Sequence, residues 1–236
     1  MQLFYSTDIQ DGLVRLSAEE ARHCTQVLRK QIGDSIQVVD GKGHWYEAVL
    51  VEISKKTALA RIESERKEQT NRAFRVHIGI APTKNISRLE WFLEKATEIG
   101  VDEISLLLCQ RSERKVVRLD RLEKVVLSAM KQSLKATLPR LNELRKFKAF
   151  IEKSSQIKGQ KFIGYCEDSV NIHLKQNYKA GSDVCILIGP EGDFSPEEVA
   201  LAQAAGFEAI SLGESRLRTE TAGVVACHAV HLLNEK

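Results

Sequence analysis

The sequence predicts an α/β protein in two parts: a small β-rich N-terminal domain and a larger domain built on a mostly parallel sheet. Three observations carry this. From Arg75 to the end, short apolar runs alternate with helical patterns, which is how a parallel sheet with crossover helices is written. Before residue 70 there is one helix signal among several strand runs. Between them, Glu65 to Arg75 (ERKEQTNRAFR) is highly charged and offers little to a core. It sets the expected domains at 1–70 and 74–236.

The composition suits a globular protein with a proper core, at 43% hydrophobic and 28% charged over 236 residues. A net charge of +3 does not by itself imply nucleic acid, so the distribution of charge matters more. Five cysteines, an odd number without a CxxC pair, argue for reduced thiols in the cytoplasm. No apolar run approaches the ~20 residues of a membrane span. The start, Met1-Gln2-Leu3-Phe4, lacks the pattern of a signal peptide.

In chain order, Ser17-Ala18-Glu19-Glu20 reads as a capping box opening a helix through Leu28. Ser35 to Asp40 and His44 to Ile53 flank Gly41-Lys42-Gly43 and form a hairpin, and Ala58 to Ile62 adds a strand. A five- or six-stranded barrel fits this length. No helix follows the two glycines, so they mark a turn and not a phosphate loop. Arg22, His23, Arg29 and Lys30 cluster on or just after the helix, either as a solvated face or as an RNA contact.

In the second part, Val76 to Ala81 is a strand, and Ser87-Arg88-Leu89-Glu90 reads as another capping box with Ile86 and Trp91 as its staple. Leu89, Phe92, Leu93 and Ala96 recur at helical spacing, and Gly100 suits the helix end. Ile104 to Cys109 is the next strand. A helix over about 119–135 buries Leu122, Val125, Val126, Ala129 and Met130, and turns Arg121, Lys124, Lys131 and Lys135 to another face. With Arg111, Arg114, Lys115 and Arg118 nearby, this is the densest basic surface the sequence predicts, and RNA is the matching partner. Leu138 to Leu141 begins a short strand, Phe147 to Lys153 is a helix, and Lys161 to Cys166 and Asp183 to Ile188 are strands.

The span Ile186 to Ala222 (ILIGPEGDFSPEEVALAQAAGFEAISLGESRLRTETA) packs two strand-to-loop-to-helix transitions together. The apolar strand breaks at Gly189-Pro190-Glu191-Gly192. Ser195-Pro196-Glu197-Glu198 follows as a helix start, with Phe194 and Val199 as its staple. Ala209 to Leu212 is a second strand ending at Gly213, before a polar loop and a final helix over about 220–233. Two such loops at strand carboxyl ends make a small-molecule site. A carboxylate in the first loop repels phosphate, and no GxGxxG or GxxxxGK[ST] is present, so a nucleotide-binding Rossmann enzyme ranks last. A cationic ligand held by backbone groups fits, and S-adenosylmethionine is one. Ile188 to Gly192, with Leu212 and Gly213, are the expected backbone contacts. Arg218 is placed to steady negative charge on an acceptor base. Glu220 either orients a group, serves as a base, or is a helix-start carboxylate favoured by the macrodipole. Cys227 and His231, four apart on the last helix, are read as core and not as metal ligands, and no metal is expected.

The segments IGPEGDFSPEE and LGESRLRTETA resemble the signature of the bacterial RsmE family, SPOUT-superfamily methyltransferases acting on N3 of a uridine in 16S ribosomal RNA. The resemblance spans nearly the whole chain. His23, Val27-Leu28-Arg29 and Gly33-Asp34 are similar to the family's PUA-like RNA-binding domain. Lys84, Arg88, Lys95 with Glu98-Ile99-Gly100 match a second block, and Gln132-Ser133 with Leu138-Pro139 a third. The chain departs from the family at Asp193 and at Leu134-Lys135, where Gly and Gly-Arg are commoner, and at Ser215-Arg216-Leu217-Arg218, where an Arg-Ile-Leu-Arg run is frequent.

The resemblance implies a PUA-like β-barrel, a SPOUT domain with a C-terminal trefoil knot, a homodimer, and 16S rRNA in the small ribosomal subunit as partner. It also implies S-adenosylmethionine as cofactor. It adds Leu217, Thr219, Thr221 and Ala222 to the cofactor contacts, and Lys84, Arg88 and Gln132 to RNA contacts that already include Arg111, Arg114 and Lys131. Two alternatives remain: a SPOUT ribose 2′-O-methyltransferase, which commonly has Ser-Leu-Asn where Arg218-Thr219-Glu220 stands, and a non-catalytic rRNA-binding assembly factor.

Overall fold

A computed structural model describes residues 2–54, 56–68, 72–166 and 172–235. The chain separates into two compact units, one of Met1–Asn71 with Leu127–Leu138, the other of Arg72–Val126 with Pro139–Lys236. Thr70, the expected domain limit, lies with residues 69–71 outside the described residues.

The N-terminal unit is a mixed six-stranded sheet, a curled half-barrel. Its strands are β1 (Leu3–Tyr5), β2 (Ile9–Gln10), β3 (Leu13–Leu16), β4 (Ser35–Val39), β5 (His44–Ile53) and β6 (Ala58–Lys67), in the order β1-β4-β5-β6-β3-β2. β1 runs parallel to β4 and the other pairs are antiparallel. β4 and β5 pair as the expected hairpin, and β6 adds to β5, but β6 continues to Lys67, into the charged segment expected to be linker. There His44 faces Lys67 and Tyr46 faces Glu65, so ladder hydrogen bonds hold residues that are themselves exposed. Helix α1 (Ala18–Arg22) continues as a π-helical turn over His23–Val27. Ser17 accepts the Glu20 N–H as expected, but the reciprocal half of the capping box is absent. The Glu20 carboxylate is buried and ion-paired with Lys131 instead.

The C-terminal unit carries β7 (Val76–Ile80), β8 (Glu103–Leu108), β9 (Arg140–Lys146), β10 (Gln160–Gly164), β11 (Val184–Ile188) and β12 (Glu208–Ile210). They form one sheet in the order β12-β10-β11-β7-β8-β9, and each of these pairings is parallel. Its helices are α2 (Ile86–Ile99), α3 (Leu119–Gln132, whose last turns belong to the first unit), α4 (Phe147–Lys153), α5 (Leu174–Asn177), α6 (Pro196–Ala204) and α7 (Thr219–Asn234). Residues alternate across β11. Cys185 and Leu187 join the cluster with Phe147, Phe150, Phe194 and Val199, where α4 and α6 pack. On the other face α7 packs against α2, β7 and β11.

The α2 cap differs from expectation. Asn85, not Ser87, is its N-cap and accepts the Ser87 N–H, so the helix starts at Ile86 and no Ile86–Trp91 staple forms. The Glu90 carboxylate that would have closed a box on Ser87 is taken by Arg121, at 2.9 Å from Nη2 to Oε2. At α6 every expectation holds. Ser195 and Glu198 complete a reciprocal capping box, Pro196 opens the helix, and Phe194 and Val199 are buried in one cluster.

At Gly223 α7 lies tightly against its neighbours. A β-carbon there would lie 2.6 Å from Phe92 Cε2 and 3.1 Å from Ile80 Cδ1, and Phe92 and Ile80 are both fully buried. Gly223→Ala should therefore cost about 1–3 kcal/mol by overpacking, less the ~1 kcal/mol that Ala gains over Gly in a helix. A lower urea midpoint at unchanged slope is the expected result.

Candidate functional site

The strand order brings the site together. β11 lies beside β7 in register, Ile188 opposite Ile80, although more than one hundred residues separate them in sequence. Strands β8 and β9 follow β7 on one side, and β11, β10 and β12 lie on the other. The carboxyl ends of β7 and β11 therefore flank the topological switch point, where open α/β sheets bind ligands. The loops after them touch. The Ala81 N–H donates to the Ile188 carbonyl at 3.0 Å, and the Lys84 N–H donates to Glu191 Oε1 at 2.8 Å. Glu191 is thus a brace between two loops.

The second loop, 211–218, is tied to the first by one buried bond: the Thr219 hydroxyl donates to the Gly189 carbonyl at 3.0 Å. Thr219 opens α7, so this bond sets the N-terminus of the last helix against the Gly189–Gly192 turn. Arg218 occupies the N-cap and makes no side-chain cap. The first N–H groups of α7, at Thr219, Glu220 and Thr221, have no intrahelical acceptor by geometry and stay available to a ligand. Ser211 accepts the Gly213 N–H at 3.1 Å and shapes the turn after β12, where Gly213 has φ 122°.

The expected cofactor residues fall on these two loops, on the last residue of β11 and on the first turn of α7. Ile188, Gly189, Pro190 and Thr219 are buried; Leu212, Leu217, Thr221 and Ala222 are half-buried; Glu191, Gly192 and Gly213 line the same loops. Arg218 is exposed, and its side chain has no hydrogen-bond or ion-pair partner among the described residues, although its carbonyl accepts the Ala222 N–H at 2.8 Å. Glu220 is buried. Its Oε1 lies 3.7 Å from Arg88 Nε, and its Oε2 has no hydrogen-bond partner among the described residues. A buried carboxylate with one long ion pair is costly unless a ligand completes it. Arg88, expected on RNA, is placed against Glu220.

Arg111 and Arg114, also expected on RNA, grip backbone carbonyls. Arg111 Nη1 donates to the carbonyls of Gly192 at 2.9 Å and Phe194 at 3.3 Å; Arg114 Nε donates to that of Thr83 at 3.0 Å. They pin the loops after β11 and β7. Each guanidinium has five N–H donors, so neither is exhausted. Lys84 pairs with Glu113 at 2.8 Å, and the hydrogen bond to that carboxylate raises its pKa above the usual lysine value.

In the N-terminal unit, Arg22, His23, Arg29 and Lys30 sit on or just after α1 and its π turn. Lys30 Nζ donates to the Ser35 carbonyl at 3.2 Å, and His23 Nε2 lies 3.0 Å from Gln2 Nε2. Lys131 is taken up by Glu20, while Gln132 is exposed.

The two positions where glycine is commoner in the family hold left-handed backbone here, Leu134 at φ 52° and Asp193 at φ 62°. Asp tolerates that region better than most side chains. Its carboxylate also accepts the Phe194 N–H at 2.7 Å and the Cys166 N–H at 3.0 Å, tying the segment after β10 to the loop after β11. Burial, and then the Asp193 carboxylate, push the Cys166 thiol up, so it stays protonated at neutral pH. Sequence reasoning noticed Asp193 as a departure but missed this tie. The Arg111 and Arg114 braces were missed as well, because a carbonyl acceptor leaves no mark in sequence.

Comparison with known proteins matches residues 70–231 to a model described as an RNA methyltransferase domain, and 16–63 to one described as an RNA methyltransferase PUA domain. A ribosomal RNA small subunit methyltransferase E of Synechocystis sp. is 30% identical, over 96% of this chain and 75% of that protein. A probable rRNA-methyltransferase of Porphyromonas gingivalis superposes with a TM-score of 0.91 at 43% identity, covering 99% of this chain and 98% of that one. A ribosomal RNA small subunit methyltransferase E of Neisseria gonorrhoeae, solved bound to S-adenosyl methionine, gives 0.85 at 29% identity, covering 99% and 98%.

The Thr219–Gly189 bond gives a direct test. Thr219→Val keeps the shape but leaves the buried Gly189 carbonyl without its donor, which should cost about 1–3 kcal/mol. Thr219→Ser should stay close to wild type in the same urea titration.

Proposed function

The chain belongs to the ribosomal RNA small subunit methyltransferase E family, and on that premise we propose that it methylates N3 of one uridine of 16S ribosomal RNA. The enzyme is an S-adenosylmethionine-dependent rRNA methyltransferase. The observation that carries the finer reading is the position of Arg218. It is an unpartnered cation at the mouth of two backbone loops that Thr219 holds together.

The residues present fit the cofactor. The unpaired N–H groups at the start of α7 and the backbone of Leu212 and Gly213 suit its adenine and carboxylate. The buried Glu220, with Oε2 unsatisfied, suits a neighbouring positive charge. S-adenosylmethionine supplies a methyl group on a cationic sulfonium, so positioning of the acceptor does much of the work. N3 of uracil lies on the Watson–Crick edge and carries a proton. The base must therefore be unpaired and turned out of its stack to react. When N3 loses its proton, negative charge spreads onto the uracil oxygens, and methylation of N3 then discharges it. Arg218 is the group that stabilises it. Glu220 orients the base or takes the proton, with Arg88 Nε 3.7 Å from its Oε1.

The same reading makes the half-barrel a PUA-like RNA-binding domain, with Arg22, His23, Arg29 and Lys30 toward RNA. Lys131 and Gln132 of the same unit, and Lys84, Arg88, Arg111 and Arg114 of the C-terminal unit, are the other proposed RNA contacts. The same reading also includes a trefoil knot at the C-terminal end, a homodimer, and a cytoplasmic location beside the ribosomal subunit. Among the described residues no helix is long and apolar enough to cross a membrane.

Arg218→Ala should lower the rate of methyl transfer by about 10²–10³-fold, the loss typical of one donor aimed at developing charge, with S-adenosylmethionine affinity within a few-fold of wild type. Nucleoside mass spectrometry of the product should give 3-methyluridine. A 2′-O-methylated nucleoside, or wild-type turnover in Arg218→Ala, would overturn the assignment.

A further inference from the structure

Beside the cofactor loops there is an open groove of about 380 Å³ that the transfer reaction does not use. It lies where the ends of β8 and β9 meet the N-terminus of α6, entirely within the C-terminal unit. Leu108, Phe147 and Leu201 make an apolar floor, and Gln110, Lys146 and Lys148 stand exposed around it. The volume falls in the range of small-ligand pockets, about 300–1,000 Å³.

We infer that this groove binds one ribonucleotide of the substrate RNA that flanks the target uridine, its base on the apolar floor and its phosphates on Lys146 and Lys148. The inference rests on the rRNA methyltransferase reading above and extends it to a second nucleotide. Three features select this occupant. An apolar floor bordered by cations matches a nucleotide, which has a flat apolar base face and an anionic backbone. The Gln110 carboxamide, without a partner among the described residues, offers both donor and acceptor to a base edge. The groove is also mechanically joined to the cofactor loop. The Gln110 N–H donates to Glu198 Oε1 at 2.8 Å, and the next residue, Arg111, holds the carbonyls of Gly192 and Phe194.

Two carboxylates, Glu197 and Glu198, stand on the α6 wall and repel phosphate, so the phosphates are assigned to the Lys146 and Lys148 border alone. Both oxygens of Glu198 are occupied by backbone N–H groups, of Gln110 and of Ser195 at 3.0 Å. The hydrogen bond from Ser195 lowers the Glu197 pKa, with Arg111 adding to the effect, so this exposed carboxylate stays anionic at neutral pH.

The test uses the intact protein and a 16S rRNA fragment in the Lys146→Ala/Lys148→Ala double variant and in Gln110→Ala. The double variant should bind the fragment about tenfold more weakly and lower the slope of log Kd against log salt by about 1.4, or ~0.7 for each single-strand phosphate that is no longer neutralised. Gln110→Ala should weaken binding without changing that slope. Melting temperature and S-adenosylmethionine affinity should match wild type in both. An unchanged RNA affinity and salt slope in the double variant, while wild type methylates the fragment, would overturn the groove and leave the enzyme reading intact. Failure of wild type to methylate both the fragment and the small subunit would overturn the enzyme reading, and the groove assignment with it.

Discussion

The site depends on one buried hydrogen bond, from the Thr219 hydroxyl to the Gly189 carbonyl. A glycine-rich turn has few side chains to fix it, and its backbone must be held from outside. Thr219 does this from the first residue of α7, so the same bond also fixes where the uncapped helix N-terminus points. Glu191 and Arg111 brace the turn from the other side, through the Lys84 N–H and the Gly192 carbonyl. Behind it, Gly223 lets α7 lie directly on Phe92 and Ile80, so the helix that carries Thr219 is packed against the core.

A division of labour among the cations follows. Arg111 and Arg114 hold loop carbonyls, Arg121 holds Glu90, and Lys131 holds Glu20. Arg218 is left exposed, and it immediately precedes the helix that carries Glu220. A charge that stabilises a developing anion must not already be neutralised by the protein, and Arg218 meets that condition. Glu220 differs from the surface carboxylates in being buried with one oxygen unsatisfied, an arrangement that ligand or substrate would complete.

How far the sequence could be read depended on how local each cause was. The α6 start was legible because Ser195, Pro196 and Glu198 act on each other within one turn. The α2 start was misread because Asn85 and Ser87 both qualify as caps. The choice fell to Asn85 while Glu90 went to Arg121, a contact formed only in the folded chain. Glu20 left its capping box for Lys131 for the same kind of reason. The short strands β1 to β3 have two to four residues each, too few to show alternation. Strand order was equally hidden, since nothing local states that β11 returns to lie beside β7. The proposed cofactor residues were chosen from the loops and the resemblance. Their mutual bracing, and the tie from Asp193 to Cys166, needed the coordinates.

The central claim is that the 189–194 and 211–221 segments form one cofactor-binding unit. Amide hydrogen–deuterium exchange with and without saturating S-adenosylmethionine tests it most directly. The account predicts that exchange slows in both segments together, at the same cofactor concentration. Protection of only one segment, or of neither, would contradict it.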